Sequence, residues 1–317
     1  MDFPRIIFFG TPDFAVASLR KILESGYQVV AIVTAPDKPS GRGLKEKASP
    51  VKDFALRQGI PVLQPFNLKD PLFTRQLSEY SPDLQIVIAF RMLPRSVWSL
   101  PSSGTFNLHA SLLPQYRGAA PINHAIIRGE DVTGVTTFML NEKMDEGKIL
   151  LAEKVNIGPM ETAGELHDRL METGADLVIK TLEGIIRGNL PEVPQEVLSP
   201  ARLPLKVAPK IIKADCRIQW EQDVTVIQNL IRGLSPYPGA FTEVKLRDGS
   251  LQLIKIYRSI SEKAATSPDP GTVLSDGKSS FKISAKNGFI QVIELQLPGR
   301  KTMFVADFLR GAGHLFA

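Results

Sequence analysis

Short, wholly apolar runs alternate along the first half of the chain with stretches in which apolar positions recur every three or four residues. Residues 6–9 (IIFF) read as a strand buried on both faces, and 13–25 as an amphipathic helix closed by Gly26. Residues 27–34 (YQVVAIVT) supply the next strand and complete one β-α-β unit. Ser49 and Pro50 form an N-cap followed by proline at the first helical position, opening a helix through residue 58. Residues 84–90 (LQIVIAF) are another unbroken apolar strand, 105–109 a shorter one, and 121–128 a helix. A long helical pattern over 161–187, with Gly174 as a candidate interruption, closes this region. The alternation predicts an α/β fold with a doubly wound, Rossmann-like parallel sheet.

The texture changes after residue 190. Prolines at 191, 194, 200, 204 and 209 predict a stiff extended linker over 191–206. Beyond it, one helix over 224–234 is followed by β-rich runs punctuated by Asp248-Gly249, Asp276-Gly277 and Asn287-Gly288, strong short-range hairpin signals. Residues 241–246 and 251–257 alternate well enough to pair. A small antiparallel β-barrel of OB-like type is the expected outcome. The predicted organisation is a first domain over 1–190, the linker over 191–206, and a C-terminal barrel over 207–317.

A length of 317 residues suits two domains, and 43% hydrophobic with 22% charged residues is the balance of a globular chain. The N-terminal apolar run is too short for a signal-peptide core and no run reaches transmembrane length, so a cytoplasmic protein is expected. A single cysteine, Cys216, excludes an internal disulfide and a cysteine-cluster metal site. The four histidines (109, 124, 167 and 314) show no ligand spacing, and no metal is expected. The net charge of +5 is unevenly placed. Residues 1–206 carry 23 basic and 23 acidic side chains, whereas 207–317 carry 15 and 10. That asymmetry hints at a polyanionic partner, although on charge alone a solvated basic surface is the better account.

The first β-α turn, FFGTPDFA (8–15), has one glycine where a dinucleotide fingerprint has three, so it reads as a plain structural turn and disfavours NAD. The candidate chemistry lies instead at the end of 105–109. Residues two apart on a strand share a face, so Asn107 and His109 can address one ligand together, the first as an amide donor and the second as a donor or proton carrier. Taken alone, a histidine at a strand end is more often structural than catalytic. Asp145, in the loop KMDEGKI (143–149), adds a third group: a carboxylate against His109 would orient it and raise its basicity. By default, an aspartate in Asp-Glu-Gly is a solvated turn residue.

These residues carry a resemblance. Asn107-x-His109, then Ser111-Leu112-Leu113-Pro114, Arg117-Gly118-Ala119-Ala120-Pro121 and the later Asp145-x-Gly147, resemble the folate-dependent formyltransferases. GTPDFA (10–15), PDKPSGRG (36–43) with SPVK (49–52), and the barrel behind a proline-rich linker resemble the members that act on tRNA. The resemblance implies formyl transfer from 10-formyltetrahydrofolate to the α-amine of methionine on initiator tRNA. It implies Asn107, His109 and Asp145 as the catalytic set. Ser111, Leu112, Leu113 and Pro114 would line the folate site, with Phe90 near the pterin. Phe90-Arg91 stands where an aromatic followed by glycine is expected, and Gln219 where an aspartate is expected before Trp220.

Residues 36–52 hold Lys38, Arg42, Lys45, Lys47 and Lys52 against Asp37 and Glu46, a net of +3, with Arg42 flanked by two glycines. An ordinary basic surface loop fits the charge alone. With the resemblance, Lys38, Arg42, Lys45 and Lys47 become the expected tRNA contacts, Arg42 foremost, while the basic barrel holds the tRNA backbone. The expected partners are methionyl initiator tRNA and the folate, with no membrane, and the chain is expected to act as a monomer. The rival readings are a formyltransferase for glycinamide ribonucleotide or a sugar-nucleotide amine, a non-enzymatic RNA-binding protein, and an NAD-dependent oxidoreductase. The basic loop weighs against the first, the Asn-x-His…Asp set against the second, and the missing glycines against the third.

Overall fold

The structure is a computed structural model and describes residues 4–40, 45–198 and 204–315. In chain order the first elements are β1 (Ile6–Gly10), α1 (Asp13–Glu24), β2 (Val29–Val33), β3 (Lys38–Ser40), β4 (Lys45–Lys47), α2 (Pro50–Arg57), β5 (Val62–Leu63), α3 (Pro71–Glu79) and β6 (Leu84–Ile88). Next come α4 (Arg95–Trp98), β7 (Thr105–His109), β8 (Arg117–Gly118), α5 (Pro121–Ile127), β9 (Val132–Met139), β10 (Ile149–Asn156), α6 (Ala163–Arg187), α7 (Gln195–Leu198) and β11 (Val207–Ala208). The last third holds α8 (Val224–Gly233), β12 (Ala240–Lys245), β13 (Leu251–Lys263), β14 (Val273–Ser275), β15 (Phe281–Ala285), β16 (Gly288–Gln296), β17 (Met303–Phe304) and α9 (Val305–Ala312).

Contacts divide the chain into two compact units. The first is Met1–Ala119, Val132–Asn156 and His167–Ala208; the second is Ala120–Asp131, Ile157–Leu166 and Pro209–Ala317. The second therefore takes in α5 and the start of α6, stretches that the pattern of the sequence groups with the first domain.

The first unit is built on a seven-stranded sheet of order β10-β9-β7-β6-β1-β2-β5. Strands β7, β6, β1, β2 and β5 run parallel, and β9 and β10 add an antiparallel edge. The chain winds outward from β1 through β2 to β5, then returns to the other side of β1 for β6 and β7. That reversal creates a crevice at the carboxyl ends of β1, β6 and β7. Every residue of β1 and β6 is buried, as continuous apolar strands covered on both faces require. Helix α6 runs unbroken through Gly174, whose missing side chain admits Leu108: a Cβ there would lie 2.7 Å from Leu108 Cδ2. Leu108 thus faces the helix layer, and the alternation of β7 turns Asn107 and His109 to the opposite face. Ser49 caps α2 by accepting from the Lys52 amide at 3.1 Å, with Pro50 at the first helical position, as the sequence predicts.

In the second unit, β12, β13, β16, β15 and β14 form an antiparallel sheet, with β17 added to β16. Each of the three Asp/Asn-Gly signals closes a hairpin: β12–β13, β14–β15 and β15–β16. Irregular register where β13 crosses Ile256–Ser259 bends the sheet. Among the described residues β12 and β14 do not pair with each other, so the sheet is a half-barrel. Its hollow is filled by Trp220, Ile227, Ile231, Ile254, Ile256, Phe281, Ile283 and Phe308. Asn287 of the last hairpin also serves α8, accepting from the Val224 amide at 3.0 Å and donating to the capping Asp223 at 2.6 Å. Phe281 is fully buried and meets Phe308 edge-on at 5.7 Å. Phe281→Ala is expected to cost about 3–5 kcal/mol through lost burial and a cavity, read from urea unfolding followed by the fluorescence of the neighbouring Trp220.

Candidate active site

Asn107 and His109 sit side by side on the last residues of β7, held between Val87 of β6 and Phe138 and Thr136 of β9. His109 is buried, and its Nε2 lies 2.9 Å from the carbonyl oxygen of Tyr116. A carbonyl only accepts, so that nitrogen carries the proton and Nδ1 is the ring atom left for chemistry. Asn107 makes no side-chain hydrogen bond among the described residues, and its Oδ1 is buried. A buried carboxamide oxygen without a partner costs about 1–3 kcal/mol, so the unpaired Asn107 Oδ1 beside a tethered histidine marks a place where a ligand's polar group fits.

The loop from Ser111 to Gly118 is braced from within. The Ser111 hydroxyl donates to the Gln115 carbonyl at 2.7 Å, and Thr136 Oγ1 donates to the Ser111 carbonyl at 2.6 Å while accepting from the Leu113 amide at 3.2 Å. Leu113 is buried with Phe138 and Ile149, Pro114 follows it through a cis peptide, and Leu112 lies against Gly134 of β9. Ser111, Leu113 and Pro114 are therefore buried parts of the loop's frame, and Leu112 is half-buried. Phe90, at the end of β6, is half-buried and packs edge-on against Phe9 at 5.6 Å. Arg91 is turned to the surface: its guanidinium binds the carbonyls of Phe66 (3.1 Å) and Pro65 (2.7 Å) and lies over the Phe90 ring.

Asp145 reaches the site by another route. Its Oδ2 accepts from the Gly118 amide at 3.0 Å, and no hydrogen bond or ion pair joins it to His109 among the described residues. The carbonyl of Tyr116, rather than a carboxylate, is what orients the histidine. Asp145 adopts φ 54°, and a Cβ at Gly147 would stand 1.6 Å from the Met139 carbonyl oxygen, so the Asp-x-Gly turn folds back on β9 only with glycine there. The turn is underpinned by Gln195, whose amide donates to the carbonyls of Asp145 (2.9 Å) and Gly147 (2.8 Å). Residues Ala89, Tyr116 and Asp145, one in each loop around the crevice, all have left-handed φ values of 48°, 62° and 54°. Such conformations are costly for residues with a side chain and gather where structure is bent to a task.

The basic segment is a two-stranded ribbon of β3 and β4. Arg42, at its turn, lies outside the described residues, as do the side chains of Lys38 and Lys45; Lys47 is exposed. Both ends are tied down. Lys52 pairs with Asp37, Gln64 donates to Asp37 Oδ1 at 2.8 Å, and the hydroxyls of Thr34 and Ser49 bond at 2.8 Å. The Lys52 bond, then that of Gln64, holds the Asp37 carboxyl below its usual range. Lys52 and Asp37 thus neutralise each other, so the net of +3 over 36–52 rests on Lys38, Arg42, Lys45 and Lys47 against Glu46.

Two residues with structural consequences for the site, Tyr116 and Gln195, carry no signal in the sequence. Tyr116 acts through its main-chain carbonyl, which any residue type possesses. Gln195 lies 50 positions from Asp145, within a proline-rich stretch.

The profile of the formyl transferase family matches residues 4–182, and that of the formyl transferase C-terminal domain matches 210–313. The chain belongs to the formyl transferase family. Its relatives include the methionyl-tRNA formyltransferase of Bacteroides fragilis, 47% identical over 97% of this chain and 94% of that protein. The methionyl-tRNA formyltransferase of Flavobacterium johnsoniae is 51% identical over 98% of this chain and 97% of that protein. Membership therefore extends to the methionyl-tRNA branch of the family. Among solved structures, the N-formyltransferase from Helicobacter canadensis, in complex with folinic acid and dTDP-3-aminofucose, shares the fold at a TM-score of 0.65 and 19% identity, over 92% of this chain and 99% of that one. HypX from Aquifex aeolicus in complex with tetrahydrofolic acid aligns at a TM-score of 0.65 and 20% identity, over 98% of this chain but 48% of that one, so this chain spans about half its length.

The clamp at the ribbon's base yields a titration test. In Lys52→Met the Asp37 carboxyl is expected to titrate at higher pH than in the wild type, because the ammonium that favours its ionised form is gone. Carboxyl carbon NMR shifts across the acid range read the change directly.

Proposed function

We propose that the protein transfers the formyl group of 10-formyltetrahydrofolate to the amino group of methionyl initiator tRNA, giving N-formylmethionyl-tRNA. Full-length relationship to methionyl-tRNA formyltransferases supports the substrates. The unpartnered Asn107 amide beside the tethered His109 is the observation that carries the chemistry.

When bound, 10-formyltetrahydrofolate supplies an electrophilic formyl carbon attached to a nitrogen that can leave. The residues of this chain do the rest. Asn107 donates from its amide to the formyl oxygen, where negative charge develops as the amine attacks. His109, with Nε2 fixed on Tyr116, presents Nδ1: protonated, it donates to the same oxygen, and neutral, it takes a proton. Asp145 receives the proton that the attacking ammonium must lose, directly or through His109 or a water. Ser111 to Pro114 and Phe90 border the folate, with Leu112 and the Phe90 ring offering apolar surface to its rings. Lys38, Arg42, Lys45 and Lys47 hold the tRNA, Arg42 making the main contact and the others adding salt-sensitive phosphate contacts. The same reading has the chain working as a monomer in the cytoplasm; no helix among the described residues is long and apolar enough to cross a membrane.

The His109→Ala and Asn107→Ala variants are each expected to lower kcat about 10²–10³-fold, as loss of an oxyanion donor does, with little change in the Kd for charged tRNA. Single-turnover formylation of methionyl initiator tRNA checks this. Wild-type protein that formylates a small amine but leaves the charged tRNA untouched would refute the assignment. Arg42→Ala should raise the KM for charged tRNA by about tenfold or more, within the range of one lost nucleic-acid contact, while the folate KM stays near wild type. An equal rise in both would rule out the ribbon as the tRNA contact.

A further inference from the structure

Residues 191–198 and 204–208, which take in the described part of the linker predicted over 191–206, are folded onto the loops of Tyr116 and Asp145 in the first unit. Val193 exchanges main-chain hydrogen bonds with Ile149 at 2.8 and 2.9 Å, beside the Asp145 turn. Gln195 opens α7 and is 1% exposed. Its carboxamide is satisfied on both sides. The NH₂ donates to the carbonyls of Asp145 and Gly147, and the oxygen accepts from Arg117 Nε (3.0 Å) and Nη2 (2.7 Å). Arg117 in turn pairs with Glu146 at 3.0 Å and directly precedes Gly118, whose amide binds the Asp145 carboxylate. Further along, the Lys206 carbonyl accepts from the Tyr116 amide at 2.6 Å, and β11 adds a parallel strand to β8.

We propose that Gln195 is a positioning residue for formyl transfer: it clamps the turn of Asp145 to the loop of Tyr116 and fixes the separation of Asp145 from His109. The inference rests on the catalytic reading of those two residues. Its physical basis is that Asp145 and Tyr116 both hold left-handed backbone conformations that neither residue adopts unaided. One buried carboxamide joins the two loops, with both donor hydrogens on one and its acceptor oxygen on the other. No other side-chain hydrogen bond from outside these loops reaches the Asp145 and Gly147 carbonyls among the described residues. Gln195 touches neither reacting group, so it acts through geometry alone. A misplacement of about 1 Å in a catalytic group can cost about 10²-fold in rate.

The test uses two variants of the full-length protein. Gln195→Ala removes both halves of the clamp. Gln195→Glu keeps an acceptor for Arg117 but loses the two N–H donors, at nearly constant volume. Both are expected to lower kcat about 10–100-fold, with each KM within about threefold of wild type. Thermal melting and binding of folinic acid confirm that the fold and folate site persist, and Gln195→Glu carries the test should the alanine variant fail to fold. A folded glutamate variant with wild-type kcat would overturn the inference, as would a loss confined to KM. Wild-type protein unable to formylate methionyl-tRNA would instead defeat the underlying functional reading, so the two failures are told apart in one experiment.

Discussion

The hydrogen bond from His109 Nε2 to the Tyr116 carbonyl is the constraint on which the candidate site depends. It decides which ring nitrogen faces the ligand, and it does so with a neutral main-chain acceptor rather than a carboxylate. An aspartate in that position would favour the imidazolium. With Tyr116 in the role, Asp145 remains a separate group, bound by the Gly118 amide. Much of the surrounding structure serves to keep that carbonyl where it is. Thr136 and Ser111 tie the start of the loop to β9, Leu113 anchors its middle in the core, and Lys206 binds the amide of Tyr116 itself.

What could be read from the sequence follows the range of the interactions involved. Strands β1, β2, β6 and β7, the capped helix at Ser49-Pro50 and the three hairpins follow from local patterns and appear where those patterns predict them, whereas β5 is not among the predicted elements. The shared face of Asn107 and His109 is a local fact of strand geometry. The Asp145–Gly118 bond spans 27 residues and the Gln195 contacts span 48 to 78, distances at which composition and periodicity carry no information. The prolines at 191, 194, 200 and 204 predict an extended linker over 191–206, whereas Gln195–Leu198 form α7, and the pattern says nothing of what the intervening side chains bind. The half-barrel follows the same logic: turn chemistry specifies hairpins, whereas closure needs pairing between β12 and β14, which no local signal encodes.

The basic ribbon shows how structure refines a charge count. On paper five cations face two anions over 36–52. Once Lys52 and Asp37 are joined, the pair contributes a clamp rather than a field, and the net of +3 rests on the other residues of the segment. Thr34, Ser49 and Gln64 reinforce the same base. In a segment fixed at its root, the ordering cost of that root is met within the folded protein.

Three left-handed residues around one crevice pose a problem of stability that their own loops do not solve. Each conformation is unfavourable by about 1–3 kcal/mol for a residue with a side chain, so each persists only where contacts from elsewhere over-determine it. Arg91 ties the loop of Ala89 to Pro65 and Phe66, Lys206 holds Tyr116, and Gln195 holds Asp145. The supports for Tyr116 and Asp145 come from the short stretch that closes the first unit's chain, so two loops of the candidate site share one brace. Shape at the site is therefore a property of the completed unit, and a first unit truncated before residue 191 would retain Asn107 and His109 on β7 while losing the means to hold Tyr116 and Asp145 around them.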